Sequence, residues 1–214
     1  EQPGYEADDI MGSLSKIAES LNVESYIVSG DKDMLQMVND NIIVYSPGNR
    51  FKPTTKFKKE EVKNKMGVYP EKIIDLLSLI GDSSDNIPGV KGVGPKTAIK
   101  LIEQFDSLDN LINHIDEIKN DRIKNLIINS LDSLKLSKEL VTIKADMNIN
   151  FSKEDFEFTS IKDKDNVIKM VHDFELSSII NSLEKLQLIK TKNEPKVIKE
   201  KKYKLILNDR DLEI

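Results

Sequence analysis

From Ile10 to Leu21 the apolar residues Ile10, Leu14, Ile17, Ala18 and Leu21 fall three and four apart. That is the period of one helix face, so the chain is expected to enter a helix at Ala7. The pattern then shortens. "SYIVSGDKDMLQMV" holds an apolar run, Tyr26 to Ser29, that breaks at Gly30 and gives way to a helix beginning near Asp33, and "NIIVYS" reads as a second strand. Helix, strand, helix, strand predicts an α/β layer with parallel strands, in which ligands collect beyond the carboxyl ends of the strands. Asp31 and Asp33 lie at such an end.

After Tyr45 the periodicity becomes helical. "SPGNRFKPTT" is loop-like, with Thr54 or Thr55 placed to cap a helix running through Lys65. Pro70 opens "PEKIIDLLSLI", whose Ile73, Ile74, Leu76, Leu77 and Ile80 bury one side of a helix that stops at Gly81. Past Pro95 the residues Ala98, Leu101, Ile102 and Phe105 share a face, and from Leu108 to Leu188 the pattern stays helical, with breaks near Asn120 and across "DMNINFSKEDFEFTS". Lys190 to Lys204 carries seven lysines against two glutamates and one proline, the composition of a linker, and "YKLILNDRDLEI" starts a new strand-like run. The expected organisation is a partial α/β lobe over residues 1–50, a helical region over 51–189, a linker over 190–202 and the truncated start of a further domain over 203–214. Starting at Glu1 with no leader pattern, the chain reads as cut from something longer.

Composition narrows the chemistry more than the fold. With 214 residues, 38% hydrophobic and 32% charged, the chain can bury one sizeable core, and no apolar run approaches the length of a bilayer span. The absence of cysteine excludes disulfides and thiolate zinc sites, so a metal must be held by oxygen or by two histidines. His114 and His172 sit in mixed helical surroundings and read as surface residues, while Met34 and Met37 read as core filler. Oxygen donors favour magnesium, manganese or calcium. A net charge of −5 argues against a nucleic-acid partner, yet Lys91, Lys96 and Lys100 gather around one glycine stretch, so the sum hides a local basic patch.

Three acidic groups stand out: Glu6, Asp8 and Asp9; Asp31 and Asp33; Asp82 and Asp85. Singly, acids in a first helical turn are explained by the helix dipole, worth about 0.3–1 kcal/mol. Jointly they read as a site. Asp31 and Asp33 stand at a strand end, Asp82 and Asp85 stand beside a glycine turn and would share a face if their loop is helical, and stability requires neither arrangement. Carboxylates at close range raise one another's pKa unless a cation neutralises them, and a divalent ion is the simplest solution. In "GVKGVGPKTA", Gly92 and Gly94 form a hairpin ahead of a helix that starts at Pro95, a place for a phosphate, with Lys91, Lys96 and the Thr97 hydroxyl adding charge and a donor. An ordinary turn between packed helices is the competing reading. Gly89 to Gly94 also has the glycine spacing of a P-loop, but Pro95 separates Gly94 from Lys96, where that motif needs lysine directly after glycine, and the preceding segment is helical.

In combination, "GYEADD", "GDKD" with "LQMV" after it, and "GDSSDNIPGVKGVGPKTA" resemble the 5′-nuclease family of structure-specific exonucleases and flap endonucleases, most closely the 5′-nuclease region found in bacterial DNA polymerase I. The resemblance covers about Gly4 to Ile189. It implies a two-metal phosphodiesterase that uses two magnesium ions, with manganese as a substitute, and Glu6, Asp8, Asp9, Asp31, Asp33, Asp82 and Asp85 match the family's acidic ligands, with Asp31, Asp82 and Asp85 at the catalytic centre. Residues 71–105 match a helix-hairpin-helix in which Lys91, Gly92, Gly94, Lys96 and Thr97 grip the duplex backbone, with a monovalent cation on the hairpin carbonyls. The implied partner is 5′-flap, nicked or branched DNA. The implied setting is the cytoplasm, in replication and repair, with polymerase domains following. Family members carry a strand-forming portion before "GYEADD" with further acids and a basic arch. Without it, the chain is expected to cleave weakly or not at all, to act at the least as a DNA-backbone-binding fragment, and to expose a sheet edge that invites self-association.

Overall fold

The computed structural model describes residues 3–48, 50, 53–152, 154 and 163–188. The expected linker over 190–202 and the segment 203–214 lie outside the described residues. The described residues form two compact units, one on each side of 155–162.

The first unit begins with α1, Ala7–Ser20, where the apolar stripe predicts it. β1, Ser25–Val28, and β2, Ile42–Ser46, pair in parallel, with Ile27 opposite Val44. Between them the expected helix is a single 3₁₀ stretch, Asp33–Met37, which buries Met34, Leu35 and Met37. The five residues form a short turn of the 3₁₀ kind used as a connector.

Thr54 and Thr55 cap nothing. Thr55–Phe57 is instead β3, antiparallel to β2, so the three-stranded sheet runs β1-β2-β3 and is mixed. The alternation that places Phe57 inward and Lys56 outward is a half-buried edge, too short to stand out from the loop before it. The sheet lobe therefore extends past the expected boundary at residue 50. α2, Lys59–Met66, follows and ends on Gly67 in the left-handed conformation. Tyr26 and Val28 on the outer strand β1 are 47% and 62% exposed.

The helical part is centred on α3, Ile73–Ile80, entered through a 3₁₀ turn at Pro70–Lys72. Ile73, Leu76, Leu77 and Leu79 are fully buried, and α3 packs against α4, Pro95–Phe105, and α7, Leu131–Val141. α5, Leu108–Asn113, and α6, Asp121–Ile128, lie between α4 and α7, with Ser107 and Asn120 accepting capping hydrogen bonds at their starts. One apolar core runs without interruption from Ile27 in the sheet to Val141 in α7, so lobe and helices are a single packed body. The described residues of the second unit form α8, Lys164–Asp173, and α9, Ser177–Lys185.

Between α3 and α4 the chain makes a closed loop. Gly81 and Gly89 both take positive φ, 70° and 57°, and meet backbone to backbone: a Cβ on Gly89 would clash with the Gly81 nitrogen. Asp82 and Ile87 exchange both backbone hydrogen bonds across the same neck, 3.0 and 2.7 Å. Only glycine fits both sides of that contact. Gly89→Ala is expected to cost about 2–4 kcal/mol of stability, the range for a strained backbone position with a backbone clash. Urea denaturation measures it, and a loss below about 0.5 kcal/mol contradicts the closed neck.

Candidate metal and nucleic-acid site

Glu6 is the N-cap of α1, and its N–H donates to the Asp9 carboxylate at 3.0 Å in a reciprocal capping box. The other Asp9 oxygen accepts the Lys144 N–H at 2.8 Å. Both oxygens of Asp9 are thus committed to backbone donors, which the helical spacing alone does not reveal. Asp8, half-buried on the next position, carries no such bond, and burial, then Asp31, Glu6, Asp9 and Asp85, push its carboxyl above the usual range.

Asp31 follows β1 by three residues. One of its oxygens accepts the Asp33 N–H at 2.8 Å, the turn that starts the 3₁₀ stretch. Asp33 is half-buried, and its Oδ1 is the only buried side-chain polar atom among the described residues without a hydrogen-bond partner. Burial first, then Asp31, with Asp82 and Asp85 adding and Lys32 opposing, pushes its carboxyl up to about 6. An orphaned carboxylate oxygen beside other acids is the donor an oxygen-loving cation needs.

The loop bearing Asp82 and Asp85 is a run of turns, not helical, so the two acids do not share a helix face. Asp82 is buried at the neck. Its Oδ1 accepts the Ser84 N–H at 2.8 Å, and its Oδ2 lies 2.5 Å from Lys32 Nζ, which holds its carboxyl below the usual range. Asp85 is exposed at the loop tip, and desolvation followed by the charges of Asp82 and Asp31 raises it. Carboxylates from three segments therefore sense one another, although among the described residues no three acids or histidines are gathered into a ready-made metal cage.

Several clamps went unread in the sequence. Gln36 donates to the carbonyls of Asp33 and Val141 at 2.9 and 2.8 Å and accepts the Ile143 N–H at 3.0 Å. Ser13 Oγ donates to the Lys144 carbonyl at 3.2 Å and accepts the Met147 N–H at 3.1 Å. Together they lay residues 141–147 across the start of α1 and beside the Asp31–Asp33 turn. A glutamine set among apolar residues in "MLQMV" was the available signal.

The hairpin follows the loop directly. The Val90 N–H donates to the Leu79 carbonyl at 2.8 Å, and the Gly89 N–H donates to the buried Ser137 hydroxyl at 3.0 Å, so α3 and α7 both hold it. Gly92 takes φ of 96°, whereas Gly94 is extended and serves as the N-cap of α4, so only the first glycine is conformationally required. Lys91 and Lys96 are exposed and form no ion pair with described residues; Thr97 is half-buried at the start of α4. The P-loop alternative fails because Gly89 follows the turn loop after helix α3, not a strand, and is pinned against Gly81. His114 and His172 are exposed and stand apart from the acids in sequence and element, and Met34 and Met37 are core residues.

These features define a class: an α/β lobe with carboxylates at the sheet end, joined through a pinched glycine loop to a helical hairpin module. Family models described as "5′-3′ exonuclease, N-terminal resolvase-like domain" and "5′-3′ exonuclease, C-terminal SAM fold" match residues 1–67 and 68–164. The chain belongs to the 5′-3′ exonuclease family. DNA polymerase I of Bacillus subtilis is 41% identical over 179 residues, which are 84% of this chain and 20% of that protein. The 5′-3′ exonuclease of Aquifex aeolicus is 35% identical over 188 residues, 87% of this chain and 61% of that one. A T5 5′-exonuclease solved with zinc ions superposes with a TM-score of 0.56 at 26% identity, covering 66% of this chain and 51% of that one. The chain thus spans about a fifth of the polymerase relatives it matches.

The raised Asp33 carboxyl has a direct consequence. Between the usual aspartate value of 3.8 and about 6 the folded protein binds a proton at Asp33 that the unfolded chain has released, so this group's contribution to stability falls as pH rises through that window. Without divalent ions, Asp33→Asn is expected to melt above the parent chain at pH 7.5 and level with it near pH 4, measured by calorimetry in EDTA. Equal melting temperatures at pH 7.5 contradict the buried, unpartnered carboxylate.

Proposed function

We propose that this chain is the magnesium-dependent, structure-specific 5′-nuclease region of a DNA polymerase I type protein, acting on 5′-flap, nicked or branched duplex in replication and repair. The observation that carries it is the unpartnered Asp33 Oδ1 among carboxylates delivered by three segments. All-oxygen donors fit magnesium, with manganese as a substitute. Asp31, Asp33, Asp82 and Asp85, with Asp8 and Glu6 from α1, would hold two divalent ions, while Asp9 serves mainly to cap α1. Such ions supply an activated water and stabilise the leaving oxygen of an in-line displacement at phosphorus. The chain's own groups position the substrate: Lys91, Lys96 and the Thr97 hydroxyl, set by Gly92 and Gly94, neutralise and orient backbone phosphates without reading bases, with a monovalent cation at the hairpin carbonyls as a further aid. Among the described residues no helix is long and apolar enough to cross a membrane, and the cytoplasm is the proposed setting, with polymerase domains as covalent neighbours in the whole protein.

A second reading is favoured by one observation. With Asp82 tied to Lys32, Asp9 tied to backbone and no three acids gathered among the described residues, these residues as they stand can act as a DNA-backbone-binding fragment with weak or no cleavage. A 5′-flap duplex separates the two. Fluorescence anisotropy in calcium is expected to show binding that falls by at least about tenfold between 50 and 200 mM salt, and Lys91→Ala with Lys96→Ala is expected to shallow the log–log salt slope by about 2. Salt-insensitive binding sinks the backbone grip. Adding magnesium is expected to give slow cleavage that Asp82→Ala abolishes while sparing affinity; no cleavage from the parent chain selects the fragment reading.

A further inference from the structure

Lys32 sits inside the sequence of acids, between Asp31 and Asp33, and its ammonium reaches across to Asp82, 2.5 Å away, on the pinched loop. The Asp82 side chain is only 6% exposed and Lys32 is 35% exposed, so this is a partly buried pair, not a solvated surface contact. The other Asp82 oxygen already accepts the Ser84 N–H. A dication that binds Asp82 Oδ2 meets the Lys32 ammonium on the same oxygen, and the repulsion between the two positive charges favours moving Lys32 away.

We propose that Lys32 is an internal counter-cation: it ties the Gly81–Gly89 loop to the end of β1 in the metal-free protein, and it yields Asp82 when a divalent ion arrives. This rests on the metal-site reading above. Lys32 is a positioning residue with two opposed effects. Its positive charge offsets the repulsion among Asp31, Asp33, Asp82 and Asp85 before metal binds, and the same charge then opposes the incoming dication. The site is thereby kept folded when empty and needs more divalent ion to fill than a site without this lysine would.

The test uses the full chain without DNA and manganese alone as the probe, with bound ion read by electron paramagnetic resonance. Lys32→Met is expected to bind Mn²⁺ roughly tenfold more tightly than the parent, the effect of removing a unit charge about 6 Å from a dication in a water-like dielectric. It is also expected to melt lower in EDTA and to recover more on adding Mn²⁺, whereas Lys32→Arg keeps parental behaviour. A purely structural lysine would lower the melting temperature without tightening Mn²⁺ binding. Lys32→Gln, uncharged but able to donate to Asp82, gives the same comparison if the methionine variant does not fold. Unchanged or weaker Mn²⁺ affinity in both neutral variants, with a parent that binds, overturns this inference alone. No Mn²⁺ bound by parent or variants overturns it together with the metal-site reading.

Discussion

Like charge that distant segments bring within electrostatic reach of one another is the constraint around which the rest of the molecule is arranged. Asp31 and Asp85 each push both Asp8 and Asp33 upward, though the three segments that carry them are far apart in the chain. Left to solvent, such groups would separate. They are kept together by backbone devices that no single charge can break: the glycine neck between Gly81 and Gly89, the capping box at Glu6 and Asp9, and the Gln36 and Ser13 clamps on residues 141–147. The cost of that assembly is visible at Asp33, whose buried oxygen has no partner.

The same devices couple the acids to the hairpin. Gly89 closes the acidic loop and, through its N–H, fixes the start of the hairpin to Ser137 on α7. Helix α3, whose apolar side chains fill the middle of the core, ends at Gly81, the other half of the neck. Groups proposed to hold ions and groups proposed to hold phosphate are thus mounted on elements that share one packed core. That is the preorganisation a displacement at phosphorus needs.

Much of this was legible in the sequence where a feature is local. The α1 stripe, the strand "NIIVYS", the stop at Gly81 and the start at Pro95 each follow from a few adjacent residues, and the acids and glycines of "GDSSDNIPG" announced an unusual loop. What could not be read depends on partners distant in the chain. Thr55–Phe57 became a strand because β2 offered it an edge. Asp9 and Asp82 carry the same side chain as Asp33, yet the first is occupied by the Lys144 N–H and the second by Lys32, and only the fold decides which carboxylate is left unpartnered.

The most direct measurement is anomalous diffraction from crystals of this chain soaked in manganese. The account expects a peak within direct coordination distance, about 2.2 Å, of Asp33 Oδ1, shared with Asp31 or Asp82. Strong peaks elsewhere with none at Asp33, or Asp33 Oδ1 found satisfied by a protein donor, would contradict it.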